Sequence, residues 1–266
     1  MTDDGSRTKL DELEKENRAL KKRLTRTQGK LQSLETLQGQ NANLLRALMT
    51  DLDAERAESE KLLLNILPAP IAERLKADSG VIADRFDSVS VLFSDIVGFT
   101  PLAESLSPEE MVAWLNDVYS EFDALVQRHG VEKIRTIGDG YMAAAGVPFE
   151  QEDHARALVI LALDMKAHFE TLPPIHGHKA NFRIGISSGS VVGGVIGTYK
   201  FQYDIWGDTV NTASRMESHG VPGRIHISAA THQLIRTDFR CVAREPIEVK
   251  GKGMMNTWFV EGPVGS

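Results

Sequence analysis

The chain has 266 residues, 42% of them hydrophobic, and a formal net charge of −7. That is enough apolar material for one sizeable core plus an extra segment. The acidic balance argues against nucleic acid as the main partner, because such binding is driven by Lys and Arg neutralising phosphates. The single cysteine, Cys241, excludes an internal disulfide and a cysteine metal cluster. It reads as a small core residue in a reducing compartment. No apolar run approaches the roughly 20 residues of a membrane span, and Met1 to Lys9 lacks the apolar stretch of a signal peptide. A cytoplasmic location is expected, either as a soluble protein or as the cytoplasmic part of a membrane-bound one.

From about Lys9 to Ala57 the chain has no proline and few glycines. With Leu10 at heptad position a and Leu13 at d, Leu20, Leu24, Leu31, Leu34, Leu45, Leu48 and Leu52 all fall on a or d. This is the signature of a coiled coil. Asn17 at an a position favours a two-stranded register. Thr27, Gln38 and Asn41 on the seam weaken its middle, as do Gly29 and Gly39. Residues 1–62 are therefore expected to form a dimerising helix. Pro68 and Pro70 break it, Ile71 to Lys76 forms a short second helix, and Asp78-Ser79-Gly80 forms a loop. Residues 63–85 are thus a joint to a globular domain over 86–262.

Within that domain, Ser88 to Ser94 is expected as a strand. Ser107 and Pro108 start a helix as N-cap and first residue, running to about His129 with Met111, Leu115, Val118, Phe122 and Val126 on its buried face. Glu132 to Ile137 and Tyr141 to Gly146 form a hairpin around Gly138-Asp139-Gly140. A helix follows from about Gln151 to Leu172. A second hairpin is expected from Asn181 to Ser187 and Ser190 to Gly197, turning at Ser188-Gly189. Helices over Asp208 to Ser218 and Ala229 to Ile235, a strand over Arg224 to Ser228, and short strands near Ile247 to Val249 and Thr257 to Val260 complete the domain. The order predicts an α+β sandwich with helices packed on a largely antiparallel sheet.

Two aspartates stand out. Asp95 closes the apolar run Val91-Leu92-Phe93-Ser94, and a carboxylate inside such a strand needs a partner, for which a metal is a natural choice. Asp139 lies in Ile137-Gly138-Asp139-Gly140; taken alone it reads as a turn residue bonding local backbone. Together the two carboxylates suit Mg²⁺ ions held against phosphate oxygens. A second cluster follows in Tyr203-Asp204-Ile205-Trp206-Gly207-Asp208-Thr209-Val210-Asn211-Thr212-Ala213-Ser214-Arg215-Met216. Asp204, among aromatic and apolar neighbours, is able to accept a bond from an amino group. Asn211 and Arg215, four apart, share a helix face. An amide and a guanidinium there suit a sugar and a phosphate.

The segments Phe93 to Thr100, Glu132 to Met142 and Tyr203 to Met216 together resemble the class III nucleotidyl cyclases, the adenylyl and guanylyl cyclases. The resemblance spans about residues 86–262. Leu64-Asn65-Ile66-Leu67-Pro68 also looks like the helical element preceding the catalytic domain in many of them. The resemblance implies a ferredoxin-like βαββαβ core and a head-to-tail homodimer with its active sites at the interface. Asp95 and Asp139 match the metal-binding aspartates, with the Ile96 carbonyl as a further ligand, holding two Mg²⁺ or Mn²⁺ ions. Asn211 matches the residue that orients the ribose and Arg215 the arginine that stabilises charge on the α-phosphate. Lys250, in Val249-Lys250-Gly251-Lys252-Gly253, matches a lysine on the terminal phosphates. Without the resemblance, Lys250 and Lys252 read as solvated turn residues.

At the purine, the resemblance places Asp204, the adenylyl choice, and Arg135 where lysine is usual. Asp204 accepts from the 6-amino group of adenine and a cation donates toward N1; arginine supplies only donors. Guanine would set O6 against the Asp204 carboxylate, and a glutamate to read its N1–H and N2 is missing. The expected substrate is ATP. Arg135 is longer and planar, so it is not interchangeable with lysine, and it keeps a guanylyl or dual-specificity cyclase open. A non-catalytic nucleotide-sensing dimer is the reading from another class, and nucleotide binding without turnover would mark it.

Overall fold

The computed structural model describes residues 4–77, 80–177, 179–197 and 200–265. The chain divides into two units, Met1–Leu63 and Leu64–Ser266. Among the described residues no helix is long and apolar enough to cross a membrane.

In the first unit, helix α1 (Asp4–Leu64) runs unbroken through Gly29 and Gly39. The seam leucines from Leu13 to Leu52 are each 54–61% exposed, and Leu37 and Leu44 lie exposed beside them at g positions. A stripe this long, open along one helix, calls for a partner surface. The side chain of Leu10 lies outside the described residues.

In the second unit, α2 (Ala69–Ala77) begins two residues earlier than the sequence suggests. Pro70 is accommodated in its first turn, where no backbone donor is required, and the Pro68 carbonyl accepts from the backbone N–H groups of Ile71 and Ala72. Of the expected loop, Asp78 and Ser79 lie outside the described residues.

Strand β1 (Ile82–Val97) is 16 residues long, more than twice the expected stretch. It is followed by α3 (Phe99–Ser105), which the sequence reading lacked. Helix α4 (Pro108–Arg128) begins as expected, with a full capping box between Ser107 and Glu110. Its buried residues are Val118, Phe122, Leu125 and Val126, while Met111 and Leu115 are only half-buried. Strands β2 (Glu132–Ile137) and β3 (Gly140–Ala145) form the expected hairpin, with Gly140 already in β3 so that the turn is the two residues Gly138 and Asp139. Helix α5 (His154–Thr171) follows.

The second expected hairpin does not exist. Asn181 to Val195 is one strand, β4, paired with β1 from end to end. Gly189 takes φ 155° opposite the register shift between Phe86 and Val89. One positive-φ glycine bends a strand, whereas a tight reversal needs two suitable turn residues. The remaining elements are β5 (Tyr203–Trp206), α6 (Asp208–Ser218), β6 (Ile225–Ser228), α7 (Ala229–Ile235), β7 (Phe239–Val249) and β8 (Gly253–Pro263). β5 was not foreseen, and β7 and β8 form one long hairpin rather than two short strands.

The sheet runs β2-β3-β1-β4-β6-β8-β7, with β5 also on β4. Its first four strands are mutually antiparallel, and with α4 and α5 they make the βαββαβ ferredoxin-like core. The β4–β6 pairing is parallel. Phe182, Ile184 and Ile186 of β4 join α4, α5 and α7 in the main core. Gly185, on the other face, lies under α6: a Cβ there would come within 1.9 Å of the Glu217 backbone nitrogen. Cys241 is half-buried at the edge of the core rather than inside it.

His226 of β6 is fully buried, with Nδ1 bonded to the Met216 carbonyl at 2.7 Å and Nε2 without a partner. Burial lowers its pKa to about 4. Because the folded value lies below the unfolded one, its contribution is fully present above about pH 6.5 and is lost as pH falls toward 4. The loss is about 2 kcal/mol by pH 5. Urea midpoints at pH 7 and pH 5 should differ by less in His226→Gln than in wild type.

Candidate active site

Asp95 sits near the end of β1, between two neighbours. On one side its register partner is Gly140, the first residue after the Gly138-Asp139 turn; on the other it is Arg183 of β4. Gly138 takes φ 61°, which closes this turn tightly and brings Asp139 to the Asp95 carboxylate. Burial raises the Asp139 pKa, and the Asp95 charge and a bond to it raise it further. Two carboxylates that repel one another at a strand end fit a hard divalent cation. Among the described residues no three His, Cys, Asp or Glu side chains converge. Such an ion would therefore take the two carboxylates together with backbone, water or substrate oxygens, the usual pattern for Mg²⁺. Ile96 is buried beside Asp95 and pairs with Phe182 of β4.

The sequence reading missed the groups around this pair. Arg183 donates from Nη2 to Asp95 Oδ2 at 2.6 Å, and its Nε lies 3.0 Å from Glu217 Oε1 of α6. Glu217 is pushed up to about 7, first by burial and then by the Asp95 charge. The signal was present in Phe182-Arg183-Ile184, a charge inside an apolar strand like Asp95, but its partner on α6 is distant in sequence.

Arg135 of β2 and Asp204 of β5 meet across the fold. Arg135 Nη1 donates to Asp204 Oδ2 at 2.6 Å, while the Ile205 backbone N–H donates to Oδ1 at 2.8 Å. Asp204 is only 8% exposed. Arg135 Nε is buried without a partner, which leaves a donor beside a fixed acceptor.

Helix α6 presents Asn211 and Arg215 on one exposed face, and neither side chain has an intrachain hydrogen bond or ion pair among the described residues. The opposite face, with Thr212, Ala213 and Met216, is buried. Arg215 shares a cleft of about 680 Å³ with Lys250, from the turn between β7 and β8. Gly251 and Gly253 take φ 82° and 72° there. Lys252 from the same turn is bonded to Asp208 at the start of α6, at 2.5 Å. Thus the structure joins Asp95 to Asp139, Arg135 to Asp204, and Arg215 to Lys250. The cleft that holds Arg215 and Lys250 is not lined by either of the first two aspartates.

Residues 81–262 match the family model described as the adenylate and guanylate cyclase catalytic domain. An adenylate cyclase of Mycobacterium tuberculosis is 47% identical over 212 residues, 79% of this chain and 48% of its own length. The guanylate cyclase soluble subunit beta-2 of Rattus norvegicus is 43% identical over 218 residues, 81% of this chain and 32% of its own. This chain spans about half or less of the length of these relatives. Among solved structures, the guanylate cyclase domain of RhGC from Catenaria anguillulae, in complex with GTP, superposes with a TM-score of 0.66 at 43% identity, covering 68% of this chain and 99% of that one. A fold, a two-carboxylate strand end and a family match over most of the chain agree, and the chain belongs to the class III adenylate and guanylate cyclase family.

Proposed function

We propose that the chain is an adenylyl cyclase, converting ATP to 3′,5′-cyclic AMP and pyrophosphate at centres that each combine two copies of the chain. The observation that carries the choice of ATP is the Arg135–Asp204 pair. Asp204 is held as an acceptor by two donors, and its free lone pairs suit the 6-amino group of adenine. The unpartnered Arg135 Nε suits the N1 acceptor.

Asp95 and Asp139, with the Ile96 carbonyl, are the residues to hold Mg²⁺ or Mn²⁺. When bound, the metal lowers the pKa of the ribose 3′-hydroxyl and neutralises phosphate charge. Asn211 orients the ribose. Arg215 meets the charge that grows on the α-phosphate during in-line displacement, an electrostatic role that needs no proton transfer. Lys250, in the same cleft as Arg215, holds the terminal phosphates. Asn211 and Arg215 face outward with no side-chain partner among the described residues, which supports a role toward a second copy.

Incubation of the pure protein with ATP and Mn²⁺, followed by chromatography, tests this reading. No cyclic AMP from wild type, with Asp95→Ala and Asp139→Ala giving the same trace, would sink it. The similarity to guanylate cyclases and the arginine at position 135 support a second reading, a guanylyl or dual-specificity enzyme. An ATP against GTP competition separates the two.

The open leucine stripe of α1 supports a coiled coil that pairs the copies. Removing residues 1–60 is expected to move half-maximal specific activity to at least about tenfold higher protein concentration, since tethering raises effective concentration. An unchanged concentration dependence would reject that role.

A further inference from the structure

We infer that Glu217 is a positioning residue that acts on the Asp95–Asp139 pair through Arg183. The geometry is a relay of three charged groups. Arg183 lies opposite Asp95 in the β1–β4 register and bonds Oδ2 at 2.6 Å. Its Nε faces Glu217 Oε1 at 3.0 Å, yet both atoms are buried and neither completes a hydrogen bond. The Glu217 side chain is only 13% exposed. A buried ionic contact without a hydrogen bond is costly to maintain. Here the fold enforces it. Gly185, two residues along β4 from Arg183, lets the α6 backbone press directly on the strand at Met216 and Glu217, and this fixes the Glu217 carboxylate beside the guanidinium.

The consequence concerns the oxygen that Arg183 occupies. A cation at the aspartate pair and the Arg183 guanidinium compete for Asp95 Oδ2. Glu217 offers the guanidinium a second anion, so that Arg183 is shared and Asp95 is more readily released to a cation. With Glu217 neutral, Arg183 is held by Asp95 alone. Glu217 follows Arg215 by two residues on α6, so the same contact also ties the helix that carries Asn211 and Arg215 to β4, whose Arg183 bonds Asp95.

This rests on the reading that Asp95 and Asp139 hold the metal. The test is Mn²⁺ binding by the full-length protein without nucleotide, followed by the electron paramagnetic resonance signal of free Mn²⁺. Glu217→Gln is expected to weaken binding about 3- to 10-fold, and Glu217→Asp, which keeps the charge, to stay close to wild type. In an Arg183→Gln background, Glu217→Gln is expected to have no further effect. A weakening of equal size there would show that Glu217 acts by its field alone, and no weakening in either background would show that it does not act at all; each overturns the inference. Asp95→Ala separates the two levels. If it binds Mn²⁺ as wild type does, the metal reading falls and the relay with it. If it loses binding while Glu217→Gln does not, only the relay falls.

Discussion

Asp95→Ala and Arg215→Ala are each expected to lose at least about 100-fold in kcat, and an equal mixture of the two proteins to regain about a quarter of wild-type activity. The single losses follow from removing one of two anionic metal ligands or the guanidinium that meets transition-state charge. The recovery follows from symmetry. In a two-fold dimer in which each centre takes Asp95 from one chain and Arg215 from the other, a mixed dimer has one centre with both substitutions and one with neither. Half the dimers are mixed after random exchange, and each has one working centre of two. The structure motivates this arrangement because Arg215 lines its cleft with Lys250 and not with the aspartates. Measuring cyclic AMP production after the two purified variants are unfolded and refolded together checks it. A mixture no more active than its parts would place all of these groups in one chain's centre.

The second large effect concerns the base. Arg135→Glu combined with Asp204→Cys is expected to lower the ratio of kcat/KM for ATP to that for GTP by at least about 100-fold. The wild-type pair presents a fixed acceptor, held by Arg135 and the Ile205 backbone N–H, together with a spare donor. That pattern complements the edge of adenine and sets acceptor against acceptor at guanine O6. The double substitution removes the acceptor facing O6 and introduces a carboxylate able to take guanine N1–H and N2–H. Sites built on such pairing discriminate strongly, because the wrong base leaves buried polar groups unpaired. Asp204→Cys alone would leave Arg135 without its anion, so the singles are expected to be poor enzymes for both nucleotides. An unchanged ratio in the double variant would mean that this pair does not read the base.

Much of the candidate site was legible in the chain. Asp95 was conspicuous because a charge inside an apolar run demands a reason, and Arg135 was reached through the family resemblance. Asn211 and Arg215 were linked by helical spacing, and α6 and α7 span the expected Asp208–Ser218 and Ala229–Ile235. Local rules did less well where long-range pairing overrode them. Ser188-Gly189 has the composition of a turn, yet β1 runs alongside it for 16 residues, and the cross-strand ladder holds the chain extended through a bend. β5 was missed because four residues carry too short a pattern, and its place is set by pairing with β4.

By itself, the sequence determined the leucine stripe of α1, the order of the longer helices and of the β2–β3 hairpin, the family to which the chain belongs, and the residue types at each end of the site. These depend on period, turn chemistry and side-chain identity, which are local. Only the tertiary structure decided which charges meet. Arg183 and Asp95 are 88 positions apart, as are the ends of no single element, and Arg135 and Asp204 are 69 apart. The first pairing follows from the β1–β4 register and the second from the approach of β2 to β5, while the packing of α6 on Gly185 brings Glu217 to Arg183. The electrostatic state of the site depends on those contacts, because a buried charge takes its energy from the few groups within hydrogen-bonding reach and not from its neighbours in sequence.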